Sequence, residues 1–225
     1  MIDPHTYTHE AMKTTFTLRL MHAQADHARD AANQAFALID EIENALSRYI
    51  PGSDVSQINC MQSGQSLFIS ETCYECMRIA LKIYIDTDGL FDITLGRQIE
   101  HQKNKSKGIV PALEGQLMVD PDRPAIHCVE AGREIDLGGI GKGYALDRIA
   151  PLLRGLGIKS GLASAGASTQ LAFGESAWKI ELTGSSDMPI VELKDQALSV
   201  SGIEIQGSHI VSPRQTEITH YAHAR

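Results

Sequence analysis

Apolar positions along the chain recur with two periods. Between Gln24 and Tyr49, Ala32, Ala35, Ile39, Ile42, Leu46 and Tyr49 come at alternating steps of three and four. That spacing predicts one long helix with a single buried stripe, stopped by Ile50-Pro51-Gly52. Thr14–Met21 before it, rich in threonine and large apolar residues, reads as a strand. A short turn of structure is expected over Ser53–Asn59. A second helix starts at an N-cap, Ser70, and runs to about Asp86, with Cys73, Cys76, Ala80 and Ile83 on one face.

The polar, lysine-rich stretch Gln98–Gly115 reads as an exposed loop or lid with Lys103, Lys105 and Lys107 solvated. Ala125–Val129 and Glu134–Asp136 read as strands paired around the turn Glu130–Arg133. Ala145, Ile149, Leu152, Leu153 and Leu156 then mark a helix from about Gly143, ended by Gly155 and Gly157, with Pro151 inside it. An interior proline costs roughly 3 kcal/mol unless the helix kinks or restarts. Short strands follow at Ser160–Ala165, Thr169–Phe173, Trp178–Leu182, Ile190–Leu193 and Ala197–Ser201. Strands and helices in this order imply an α/β chain with mixed sheets, read as a single domain over residues 1–225.

Composition narrows the function. The 225 residues are 43% apolar and 21% charged, as in ordinary globular proteins, and the formal charge of −8 argues against nucleic acid or an anionic membrane as the main partner. No apolar run approaches the roughly 18 residues of a membrane span. Met1–Met12 is polar, without a signal-peptide core, so the sequence as it stands reads as cytoplasmic. A trimmed leader would make it periplasmic or membrane-anchored instead. Cys73-x-x-Cys76 has a metal or redox spacing, but the shared helical face assigns both thiols to packing, and no second Cys/His pair stands at zinc spacing.

The chemistry concentrates at Glu134–Ala167. Four glycines, Gly138, Gly139, Gly141 and Gly143, surround Lys142 between an apolar strand and a helix start. Glycine lets a backbone approach a ligand, and a helix N-terminus offers free N–H groups and a positive dipole end. A phosphorylated ligand is therefore expected, the alternative being a turn that only permits close strand–helix packing. A P-loop is excluded because Asp136 stands where the first glycine belongs and Gly143 follows the lysine. A dinucleotide fingerprint is excluded because Tyr144 falls on its third glycine position.

Asp136-Leu-Gly-Gly-Ile-Gly-Lys-Gly-Tyr-Ala-Leu-Asp147 resembles the signature of the ApbE family, the FAD:protein FMN transferases. Four more segments resemble family motifs in family order: Met12-Lys-Thr-Thr-Phe16, Ser47-Arg-Tyr49 through Ile58-Asn59, Gly89-Leu-Phe-Asp-Ile-Thr-Leu-Gly96, and His209-Ile-Val-Ser-Pro213. The resemblance implies an ApbE-like α/β fold. It implies an FAD pocket lined by Met12, Tyr49, Leu90, Phe91, Asp92, Asp136, Lys142 and Ile210. It gives Gly139 a carbonyl ligand to magnesium and His209 a part in proton transfer. The implied reaction is attack by a threonine or serine hydroxyl of an acceptor protein on the FMN phosphorus of FAD, with AMP leaving.

Lys13 stands where glycine is usual in that family, Gly166-Ala167-Ser168 where Gly-Gly-Asp/Asn is usual, and Ser212 where aspartate is usual. A late Asp-Ala-x-x-Thr motif that supplies metal ligands is missing. The expectation is thus a domain truncated at its C-terminus, without the last strand and helix, whose open sheet edge would allow a homodimer. An impaired relative that binds a flavin nucleotide, or acts as a partner module without turnover, is the alternative.

Overall fold

A computed structural model describes residues 3–104, 108–181, 190–202 and 223–224. Lys105, Lys107, His209, Ile210 and Ser212 lie outside the described residues. Their contacts divide the described residues into two compact units, 3–43 with 142–181, 190–202 and 223–224, and 44–104 with 108–141.

The first unit is built on an antiparallel sheet of β1 (His5–Ala11), β2 (Thr14–Met21), β6 (Ser160–Ala165), β7 (Thr169–Phe173) and β10 (Ala197–Ser199), in the order β1-β2-β6-β7-β10. Alternation along β2 sends Phe16, Leu18 and Leu20 into the core of one face, opposite Ala165, Ala163 and Gly161 of β6. On the other face Leu162 and Ala172 pack with Trp178 and Leu193 of the hairpin β8 (Trp178–Glu181)–β9 (Ile190–Leu193). The Arg19 guanidinium lies 4.9 Å from the Trp178 ring centre. A small pair, β11 (Ser201–Gly202) and β12 (His223–Ala224), completes the unit's strands among the described residues.

The strand β1 was not expected from the sequence. Its polar alternation, His-Thr-Tyr-Thr-His-Glu, has one half-buried side and suits an edge. A two-residue turn, Met12 at φ 51° and Lys13 at φ 57°, joins it to β2. Two consecutive positive φ values are the type I′ hairpin geometry, which favours glycine and explains the family's preference at the Lys13 position.

Two helices belong mainly to this unit. α1 (Ala25–Leu46) buries Ala32, Ala35, Ile39, Ile42 and Leu46 of the expected stripe, together with Ala28, and ends three residues before Tyr49, which was expected in the buried stripe and is exposed because it lies beyond the helix. α5 (Gly141–Gly155) starts two residues earlier than its periodicity suggested and stays one helix through Pro151. Pro151 has no N–H for the carbonyl of Asp147, so the structure carries that lost bond within a continuous helix.

The second unit holds the antiparallel sheet β3 (Ser66–Phe68), β5 (Ala125–Glu130) and β4 (Gln116–Val119), in the order β3-β5-β4, with three helices. α2 (Asp54–Ile58) is capped by the Ser53 hydroxyl, which accepts from Ser56 N–H at 3.0 Å. α3 (Glu71–Asp86) is capped by Ser70, as expected, and buries Cys73, Cys76 and Ala80. Burial pushes the Cys76 thiol up to about 12 and raises Cys73 further, so both are packing groups.

Two expectations are corrected here. Gln98–Lys103 is not loop but part of α4 (Gly96–Lys103), with Gln98 buried. Glu134–Asp136 does not pair with β5. It runs alongside residues 93–96, with Gly96 N–H donating to Glu134 O and Asp136 N–H to Ile93 O, both at 2.9 Å. Its other side is met by a side chain. Asn59 Oδ1 accepts from Ile135 N–H at 2.7 Å and Asn59 Nδ2 donates to Ile135 O at 3.0 Å, as a neighbouring strand would. No helix among the described residues is long and apolar enough to cross a membrane.

Candidate functional site

The second unit holds five of the expected pocket residues, Tyr49, Leu90, Phe91, Asp92 and Asp136, together with a cluster of charges. Asp136 ends the extended segment, and its side chain is only 7% exposed. Its Oδ1 accepts from Gly138 N–H at 2.7 Å, closing a turn before the glycines. Its Oδ2 faces Arg48 Nη1 at 3.6 Å and Lys103 Nζ at 3.5 Å. Arg48 also donates to Gly96 O at 2.8 Å and Glu134 Oε2 at 2.6 Å. One guanidinium therefore ties the end of the long helix to the start of α4 and to the glycine turn. Gly96 must lack a side chain, since a Cβ there would stand 2.7 Å from the backbone oxygen of Glu134 as well as 2.6 Å from Arg48 Nη1.

Tyr49 follows Arg48 and is 46% exposed. Its hydroxyl donates to Glu100 Oε2 at 3.2 Å and receives Lys103 Nζ at 3.4 Å. Asp92 is held separately. Its Oδ1 accepts from the backbone N–H and hydroxyl of Thr94 at 2.8 and 2.7 Å, and Arg133 Nη1 lies 3.8 Å from its Oδ2. Arg133 in turn donates to Thr94 Oγ1 and Gly115 O. Leu90 is 56% exposed, and the Phe91 ring lies 3.3 Å from where a Cβ of Gly139 would be. A side chain at Gly139 would therefore require the Phe91 ring to give by a few tenths of an ångström.

A Cβ on Gly141 or Gly143 would meet nothing within 4 Å among the described residues, and neither has a positive φ. The Gly138 N–H is already committed to Asp136 and is not a free donor.

The first unit places Lys142 in the first turn of α5, half-buried, with Nζ donating to Ser168 Oγ at 3.2 Å. Burial lowers its pKa below 10.5. Met12 stands in the β1–β2 turn. His209 and Ile210 lie outside the described residues. Among the described residues no group of three or more His, Cys, Asp or Glu side chains could hold a metal ion.

Arg48, Lys103, Arg133 and Glu134 were not singled out by the sequence. Their signal was indirect: carboxylates with largely buried side chains, Asp92 and Asp136, need cations beside them.

An α/β chain with antiparallel sheets and a glycine turn beside a buried carboxylate shares its fold with flavin transferases. The flavinyl transferase ApbE of Pseudomonas stutzeri, apo form, superposes with a TM-score of 0.80 at 24% identity, covering 96% of this chain and 77% of that one. The model of the ApbE family matches residues 12–222, and the chain belongs to that family. It is 27% identical to the FAD:protein FMN transferase of Buchnera aphidicola subsp. Schizaphis graminum, over 78% of this chain and 61% of that protein. It is 24% identical to the enzyme of the same name from Salmonella typhimurium, over 91% of this chain and 68% of that protein. The chain spans about three fifths to two thirds of the length of these curated relatives.

Proposed function

We propose that this chain is an FAD:protein FMN transferase. A threonine or serine hydroxyl of an acceptor protein attacks the FMN phosphorus of FAD. A new P–O bond forms to the acceptor, the P–O bond to the AMP half breaks, and AMP leaves with the diphosphate's bridging oxygen. The observation that carries this reading is the family match over residues 12–222, supported by relatives named for that activity.

The side chains suit the ligand. Tyr49, Leu90 and Phe91 offer apolar surface for its flat rings, two of them well exposed. Asp92 and Asp136 offer carboxylate acceptors for hydroxyl or N–H groups, and Lys142 supplies positive charge for the diphosphate. Met12 and Ile210 are proposed as further lining residues, and His209 as the group that assists proton transfer. Magnesium is proposed as the reaction's cation, with the Gly139 carbonyl as one ligand. The described carboxylates do not complete a shell for it.

Homodimerisation is an accompanying proposal. Among the described residues the five-stranded sheet has edges at β1 and β10, either of which could pair with a second copy. The compartment is proposed to be the cytoplasm, which fractionation of the source cell would check.

Titration with FAD, followed by flavin fluorescence, tests the ligand. FAD should bind more tightly than NAD or ATP, and Tyr49→Ala and Asp136→Ala should each weaken it. No quenching up to the solubility limit would leave the family fold without its substrate.

A further inference from the structure

We infer that Lys103 is a further ligand-binding residue, the cation that stands between the Asp136 carboxylate and the phosphates of a bound flavin nucleotide. The inference rests on the substrate proposed above. Its starting point is a conflict of charge. Asp136, expected beside the ligand, is a buried carboxylate, and a diphosphate brought near it is repelled unless a cation intervenes. Arg48 is not that cation. Its side chain is 10% exposed and its guanidinium is committed to Gly96 O and Glu134 Oε2, with Asp136 Oδ2 at 3.6 Å.

Lys103 differs in every respect that matters. It closes α4, a helix anchored at its first residue by the bond from Gly96 N–H to Glu134 O. Its side chain is 44% exposed while its ammonium touches Asp136 Oδ2 at 3.5 Å and Tyr49 Oη at 3.4 Å. It therefore bridges two residues of the expected pocket. An ammonium has three donors, and these two contacts among the described residues use two of them, so a third can meet a ligand. Nζ lies 5.8 Å from the Tyr49 ring centre but 3.4 Å from its hydroxyl, so it sits at the ring's edge and does not cover the face. A flat ring can stack on Tyr49 while the ammonium meets a phosphate oxygen beside it. A flexible four-carbon stem, rather than a rigid fork, allows the small shift this requires.

The test compares FAD affinity of the wild-type chain, Lys103→Met and Lys103→Arg, each measured over a range of salt concentrations. Lys103→Met should weaken FAD binding about tenfold, as loss of one charge-assisted bond does. It should also flatten the salt dependence, because one screened charge pair is gone. Lys103→Arg should restore both. An exposed lysine at a helix end leaves folding intact, which an unchanged melting temperature confirms. Unchanged or tighter binding by Lys103→Met would overturn the inference. So would a loss that leaves salt dependence unaltered, which would mark packing rather than charge. If wild-type chain binds no FAD, the proposed substrate fails, and this inference with it.

Discussion

Replacing Arg48 with alanine is the most informative perturbation of the charge cluster. The guanidinium serves Gly96 O at 2.8 Å, Glu134 Oε2 at 2.6 Å and Asp136 Oδ2 at 3.6 Å. The bond to Gly96 O is charge-assisted and nearly dry, worth roughly 1.5–3 kcal/mol. Glu134 is 32% exposed, so water replaces much of its loss, leaving about 1 kcal/mol. Asp136 keeps Lys103 and Gly138 N–H, so it escapes most of the roughly 3–5 kcal/mol charged for a fully orphaned buried partner. The sum is about 3–4 kcal/mol. For a chain of this size that lowers Tm by roughly 6–16 °C. Arg48→Lys can satisfy only one acceptor well and should recover less than half of the loss. Urea and thermal unfolding followed by circular dichroism would measure both variants. A change within about 0.5 kcal/mol for Arg48→Ala would refute the view that this residue holds the glycine turn in place.

Further outcomes follow from other parts of the structure. Gly161→Ala should destabilise by roughly 2–3 kcal/mol, because its Cβ would stand 2.7 Å from the Phe173 ring and 3.0 Å from Arg19 O; unfolding midpoints check this. In the native protein a thiol reagent near neutral pH should modify exposed Cys60 first and leave Cys73 and Cys76 intact until denaturant is added, as peptide mass mapping would show. FAD affinity should fall on the alkaline side, beginning below pH 10.5. Burial lowers the Lys142 pKa, and the ammonium that attracts the diphosphate is lost as pH rises through that lowered value. Lys142→Met should bind more weakly at neutral pH and lack this alkaline decline.

What could be read from the sequence were features set by local chemistry. The stripe of α1, the Ser70 cap, the thiols of α3 and the strand Ser160–Ala165 all depend on neighbours a few residues away. The glycine turn was legible for the same reason. What failed depends on distant partners. Glu134–Asp136 is extended, as its alternation implies, but its neighbours are residues 93–96 and the amide of Asn59, a pairing no local pattern contains. α4 was hidden because its sequence, Gly-Arg-Gln-Ile-Glu-His-Gln-Lys, is almost wholly polar and buries only Gly96 and Gln98 deeply. With the helix went Lys103, read as solvated and found against Asp136. β1 escaped because an edge strand with one wet side carries little apolar signal.

Transfer of FMN to a protein hydroxyl is the reaction proposed for this chain. Its most direct test incubates the protein with FAD, magnesium and an acceptor protein carrying a candidate threonine, then measures the acceptor's intact mass and the AMP released. The acceptor should become heavier by one FMN less one water, a gain lost when the threonine is replaced by valine, with one AMP per label. FAD that binds but yields neither labelled acceptor nor AMP, with acceptors that authentic transferases label, would contradict it.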